Sequence, residues 1–233
     1  DFWQPLTEVF SWAKQNVTSI LCSCLATHAL IEHCYGIERT PQPQKRWGVF
    51  SHKVLERTHP LVAEINTRFD VPHSRFNEIY QHDMEQKGIT VLAASRDAGV
   101  HLAVSSDGIR VVFFQGHPEY DDISLLKEYK REVLHFYNGL RDDYPPYPEN
   151  YFDKNTKKIL SDYEKQVRTA KDNNSALDLF PEQEILIHID NTWRDTAKAV
   201  FNNWLGKVYQ ITNQDRRLPF MEGIDPNNPL DLI

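Results

Sequence analysis

Basic residues are in the minority in this 233-residue chain: 26 Lys and Arg stand against 33 Asp and Glu, a formal net charge of -7. That balance argues against a nucleic-acid partner, because binding a phosphate backbone wants a basic face, and no basic block occurs anywhere in the chain. Apolar runs of transmembrane length are also lacking, so no membrane partner is expected. Cysteine is scarce and odd in number, with three residues at positions 22, 24 and 34. Three thiols do not make a disulfide framework and fit a reducing, cytoplasmic setting. Cys22-Ser23-Cys24 has no second Cys or His cluster to complete a zinc site, so no metal is expected. Internal repeats and low-complexity segments are absent as well. Hydrophobic residues make up 40% and charged residues 25%, which leaves an ordinary globular chain of one domain plus decoration, or two small domains.

Apolar periodicity then places the elements. Residues 4–15 read as an amphipathic helix, 17–24 as one buried strand, and 25–35 as a helix stopped by Gly36. Proline and glutamine at 41–44 read as a loop, 47–55 as a strand, 59–65 as a short helix, and 68–76 as a strand running into a polar turn. Three strands follow at 89–95, 100–106 and 109–115, the last two joined at Asp107-Gly108. A helix is predicted over 122–138, a proline-rich connection over 142–152, and a charged helix over 154–172 with Ile159, Leu160, Tyr163 and Val167 on one stripe. A last helix spans 192–209, with Thr192 as its cap and Trp193, Val200, Trp204, Leu205 and Val208 facing inward; the tail "DPNNPLDLI" at 225–233 reads as loose. Strands alternating with helices predict an α/β fold with a mainly parallel sheet and one antiparallel hairpin.

Two positions in this pattern carry chemistry. Cys24 falls where a strand turns into a helix. A nucleophile on such a turn is exposed at the carboxyl end of a sheet, with free helix N–H groups behind it that favour a thiolate and can hold an oxyanion. His117 leaves its strand at the end of a buried run and reaches the same edge. Glu119, two residues on, lies to the same side if the chain stays extended across Pro118. The set suits thiol chemistry, with His117 taking the proton and Glu119 orienting the imidazole. A buried Cys is more often a small hydrophobe and a post-strand His more often a loop residue, so the combination carries the reading rather than either residue.

The segments "VTSILCSCLATHA", "FDVPHSRF", "AGVHLAVSSDGIRVVFFQGHPEYD", "KEYKRE", "PPYPENYF" and "TWRDTAKAVFNNWLGKVYQIT", in this order, resemble the homoserine O-acyltransferases (succinyl- and acetyltransferases) of methionine biosynthesis. The resemblance implies a class I glutamine amidotransferase-like, flavodoxin-like sheet with helices on both faces. It also implies ping-pong acyl transfer from acetyl-CoA or succinyl-CoA, a co-substrate rather than a cofactor, to homoserine or serine. Cys24 becomes the acyl-carrying nucleophile, His117 the base, Glu119 its partner and the Leu25 backbone N–H an oxyanion donor, while Lys45, Ser74 and Arg131 become substrate-binding residues. Leu25 and His28 depart from the family pattern, which has Trp and Gln there, and Asp195-Thr196 replaces its Ser-His. The domain reading is a catalytic part over 1–152, a helical insertion over 153–189, and a helix and tail over 190–233. The chain opens directly into a helical pattern without Met. The resemblance therefore implies further upstream strands, from a longer chain or a separate upstream polypeptide, and a possible homodimer. An amidotransferase-like Cys hydrolase and a non-catalytic fragment or subunit are the alternatives.

Overall fold

Val111–Phe114 is apolar at every position because both faces of its strand are covered. Val111 and Phe113 pack with Phe10, Leu30 and Ile31 on one side, whereas Val112 and Phe114 pack with Leu61, Val62 and Val200 on the other. Each such side chain contributes roughly 1.5–3 kcal/mol on full burial. The computed structural model describes residues 3–215 and 217–232. In chain order it contains α1 (Trp3–Asn16), β1 (Ile20–Ser23), α2 (Leu25–Tyr35), β2 (Thr40–Val54), a 3₁₀ turn (Pro60–Val62), β3 (Arg68–Glu78), α3 (Gln81–Gln86), β4 (Thr90–Ser95), β5 (Gly99–Val104), β6 (Val111–Phe114), α4 (Ser124–Tyr137), α5 (Lys154–Asp172), α6 (Glu182–Leu186) and α7 (Arg194–Ile211).

The strands form one α/β sheet in the order β1-β6-β5-β4-β2-β3. Parallel pairing, expected for most of the sheet, is found between β1 and β6, in register from Ile20 opposite Val111 to Ser23 opposite Phe114. The β6–β5, β5–β4 and β4–β2 ladders are antiparallel. The reason is connection length: short turns join β4 to β5 and β5 to β6, and a parallel pair needs a long crossover. At the predicted hairpin, Asp107 Oδ1 accepts from Ser105 Oγ (3.0 Å) and from the N–H groups of Ile109 (3.0 Å) and Arg110 (2.7 Å), while Gly108 takes the left-handed conformation at φ 84°. Gly36 ends α2 as expected, at φ 66°, its N–H returning to Glu32 O.

Several local expectations are corrected. Residues 41–44 belong to β2 rather than to a loop; Pro41 and Pro43 are exposed there, and β2 pairs with β4 only at Lys53 and Val54, so their missing N–H groups break no rung of that ladder. The 59–65 helix is only the 3₁₀ turn. Pro72 to Arg75 continue β3 instead of turning, because the residues facing inward from it are buried. Trp193, not Thr192, stands at the N-terminus of α7, and no side chain caps it. Leu205 is 49% exposed rather than inward, although Trp193 and Val200 are buried. Residues 219–221, which precede the tail read as loose, are fastened: Thr18 Oγ1 donates to Pro219 O, Asn213 Nδ2 to Phe220 O, and Met221 N–H to Ile211 O. Ile233, the last residue of that tail, lies outside the described residues.

The chain divides into two compact units. The first takes the residues up to Arg46, Phe50–Pro118 and the chain from Trp193 onward; the second takes Trp47–Val49 and Glu119–Thr192. In the second, α4 buries Leu125, Leu126, Tyr129, Val133 and Phe136, and α5 buries Leu160, Tyr163, Val167 and Ala170. Asp153 caps α5 by accepting from Thr156 N–H at 2.7 Å. Among the described residues no helix is long and apolar enough to cross a membrane.

Candidate active site

β1 ends at Ser23 and α2 begins at Leu25, so the whole change of direction falls on Cys24. Its backbone sits at φ 48°, ψ -110°. A side chain other than glycine's costs roughly 1–3 kcal/mol in such a region, and neighbouring contacts must hold it there. They are backbone bonds: Cys24 N–H donates to Phe114 O at 2.8 Å, and Cys24 O accepts from His28 N–H at 3.1 Å. Cys24 is a free, half-buried thiol. The first N–H groups of a helix, here beginning with Leu25, have no intrahelical acceptor and form the positive end of its dipole. The other thiols differ. Burial, with a lesser contribution from Cys34, pushes Cys22 up to about 12, which suits a core residue and not a nucleophile. Cys34 receives a weak contact from Lys14 Nζ at 3.7 Å.

Because β1 and β6 run parallel and in register, their chains leave the sheet at one carboxyl edge. Past β6, Gly116 O accepts from Ser23 Oγ at 3.2 Å, which ties the two exits together. His117 follows, half-buried, its N–H donating to Pro72 O of β3 at 2.8 Å. The sheet thus delivers Cys24 and His117 from adjacent strands to the same edge. The other predicted residues lie on β2, on β3, on α4 and just past the β6 exit. Lys45 lies on β2 with Nζ 6.0 Å from the centre of the Phe76 ring. Ser74 is half-buried on β3 and alternates with the buried His73 and Arg75. Glu119 is exposed at the start of the second unit's main segment, and Arg131 is an exposed α4 residue 3.3 Å from Glu132 Oε1.

Sequence reasoning marked His28 only as a departure from a pattern. It is 3% exposed, and its Nε2 meets Gln115 Oε1 at 2.9 Å. Gln115 also takes Ile79 N–H on that oxygen and donates from Nε2 to Ile79 O and Val100 O, so the ring is the donor. Burial is the main cause that lowers His28 to about 4. Missed entirely was a buried polar group behind the Gly116 turn, formed by His52, His73, His101 and Arg75. Burial, followed by its charged and ring neighbours, holds His73 well below the ordinary histidine range, and His101 likewise. The available signal was spacing: Phe69, Val71, His73 and Arg75 alternate along β3, so two polar residues occupy core positions. Among the described residues no group of three or more His, Cys, Asp or Glu could hold a metal ion.

A family model described as homoserine O-succinyltransferase matches residues 1–214. The homoserine O-succinyltransferase of Methylobacter tundripaludum is 75% identical over 232 residues, which cover 100% of this chain and 66% of that protein. That of Methylococcus capsulatus is 65% identical over 231 residues, 99% of this chain and 65% of that protein. The chain therefore spans about two thirds of the length of these relatives. The crystal structure of SMU.1228c aligns with a TM-score of 0.50 at 15% identity, over 89% of this chain and 70% of that one, a likeness of fold alone.

Proposed function

Given that the chain belongs to the homoserine O-succinyltransferase family, we propose that the protein is an acyl-CoA-dependent O-acyltransferase of methionine biosynthesis, working in the cytoplasm, with homoserine as its acceptor. The relatives' names favour succinyl-CoA over acetyl-CoA as donor and homoserine over serine as acceptor. The observation that carries the reading is Cys24, held at positive φ between β1 and α2, on the edge that the next parallel strand shares through His117.

In the first half-reaction His117 takes the thiol proton and Cys24 Sγ attacks the acyl carbonyl. The oxyanion is met by the Leu25 N–H at the start of α2. Collapse breaks the bond to the CoA sulfur, which leaves with the proton from the imidazolium, and the acyl group remains on Cys24 as a thioester. In the second, His117 takes the proton of the homoserine hydroxyl, and the oxygen attacks the enzyme thioester. The Cys24 sulfur leaves and recovers the proton, giving the O-acyl amino acid and restoring the free thiol. Glu119 is assigned the orienting role from its spacing beyond Pro118. Lys45, Ser74 and Arg131 are assigned to the substrate's charged and polar ends by family resemblance; Arg131 has the fork geometry that suits a carboxylate.

Intact-mass analysis of the full-length native protein with succinyl-CoA and no acceptor should show one acyl group on Cys24, discharged when homoserine is added. Turnover that survives Cys24→Ala, or a turning-over wild type that never carries the acyl group, would overturn the mechanism.

A further inference from the structure

We propose that His73 is a positioning residue for His117: with Arg75 and His52 it forms a one-way hydrogen-bond chain that fixes its ring in one tautomer behind Gly116 and so sets how the turn presents the His117 imidazole. The proposal rests on the reading of His117 as the base of the acyl transfer.

Three imidazoles share this buried space. His52 and His73 are 0% exposed and His101 is 3% exposed. Apolar side chains would fill the same volume without the roughly 1–3 kcal/mol risked by each unsatisfied buried polar group. Two of them, His52 and His73, are instead wired in one direction, while His101 Nδ1 has no hydrogen-bond partner among the described residues. Phe50 O can only accept, so His52 Nδ1 carries the hydrogen of their 2.8 Å contact. His52 Nε2 then has a lone pair, and the 3.2 Å contact to it must be donated by His73 Nε2–H. His73 Nδ1 is left as an acceptor, and Arg75 Nε, which can only donate, fills it at 3.3 Å. A pure acceptor at one end and a pure donor at the other leave no tautomeric freedom between them. Arg75 is itself fixed by the carbonyls of Asn77 and Ala98, each at 2.6 Å, with Glu78 at 3.7 Å. The His52 and His73 rings stack with centroids 5.1 Å apart and planes 9° apart.

The turn before His117 rests directly on these rings. A Cβ added at Gly116 would lie 2.7 Å from Val71 Cγ1, 2.9 Å from His73 Nε2 and 3.0 Å from His101 Nδ1. Gly116 is not among the positive-φ glycines, so glycine is required there for closeness and not for a left-handed backbone. The other side is pinned by His117 N–H on Pro72 O, the carbonyl directly preceding His73. The turn that carries the base is therefore held by the Pro72 carbonyl of β3 and packs at Gly116 close to the ring of the next residue along β3. Of the chain's members only Arg75 is charged, so the rings against Gly116 support the base without adding a full positive charge there.

The test compares His73→Leu, which removes both hydrogen bonds, with His73→Gln, which keeps one donor and one acceptor, in the full-length native protein. His73→Leu should lower kcat by about ten- to a hundred-fold, the scale of a small misplacement of a catalytic group. KM for either substrate should stay within about two-fold, and His73→Gln should recover most of the loss. In 15N-histidine-labelled protein the ring signals of His117, assigned by their loss in His117→Asn, should move in His73→Leu and return in His73→Gln. A folded His73→Leu with wild-type kcat and unmoved His117 signals overturns the proposal. If His73→Leu does not fold, Gly116→Ala presses on the same rings and should give the same loss and the same spectral change; wild-type values there overturn it equally. The underlying mechanism fails separately. Moved His117 signals together with a fully active Cys24→Ala would leave the positioning intact and remove the thioester route, whereas an inactive Cys24→Ala with unmoved signals would do the reverse.

Discussion

Replacing His28 with glutamine measures how much this fold depends on keeping a buried imidazole uncharged. His28 is 3% exposed on α2 and donates from Nε2 to Gln115 Oε1 at 2.9 Å. Burial lowers its pKa from 6.5 to about 4; the hydrogen bond to Gln115 opposes the shift, and the charges of Arg75 and Arg39 add to it. In the unfolded chain the ring takes up a proton as pH falls through 6.5, but in the folded chain it does so only near 4. The unfolded state thus binds more protons within that window. The ring's contribution to stability is complete above 6.5 and is lost as pH falls from 6.5 towards 4. Between pH 7 and pH 5 the loss amounts to about 2 kcal/mol from this one ring, a substantial part of a typical stability of roughly 5–15 kcal/mol. Glutamine can keep a bond to Gln115 and takes up no proton. Urea unfolding at both pH values should therefore show the wild type losing about 2 kcal/mol more than His28→Gln. His52, also lowered to about 4 by burial, and the lowered His59, His73 and His101 are common to both proteins and cancel in the difference. Equal losses in the two proteins, or an NMR titration of His28 with a midpoint near 6.5, would refute the reasoning.

Two further substitutions bear on the proposed chemistry. Glu119→Gln should keep the fold, read by circular dichroism, yet lower kcat by about ten-fold or more through loss of the carboxylate charge; an unchanged kcat contradicts its role as partner of the base. Arg131→Ala should raise KM for the amino acid about ten-fold or more while changing KM for the acyl donor far less; equal changes in steady-state kinetics would argue against a carboxylate contact.

Sequence made the edge that holds Cys24 and His117 legible because its signals are local. The "VTSILCSC" run, the helix that follows and its Gly36 stop place Cys24 at the junction, and Val111–Phe114 announces a strand buried on both faces. Strand direction was less legible, since short turns settle the pairing of β4, β5 and β6 and apolar composition does not distinguish the two senses. Pro72-His73-Ser74-Arg75 reads as a polar turn by composition, yet tertiary contacts make it strand: His73 and Arg75 are satisfied by His52 and Ala98, and neither partner is visible in a local window. The fastening of Pro219 and Met221 was hidden for the same reason, being made by Thr18 and Ile211 without any periodicity of its own. For Glu119 and Arg131 spacing and resemblance remain the whole basis, and both belong to the second unit.

The mixed pairing of the sheet also orders its assembly. The β4–β5 ladder joins Ser95 to Gly99 and the β5–β6 ladder joins Val104 to Val112, whereas the parallel ladder joins Ile20 to Val111. Closing that long loop costs about 2 kcal/mol more chain entropy than closing the hairpins. The hairpins can form early in folding, whereas the parallel ladder that brings the ends of β1 and β6 to one edge closes later. A partly folded molecule would therefore hold its hairpins before Cys24 and His117 share an edge.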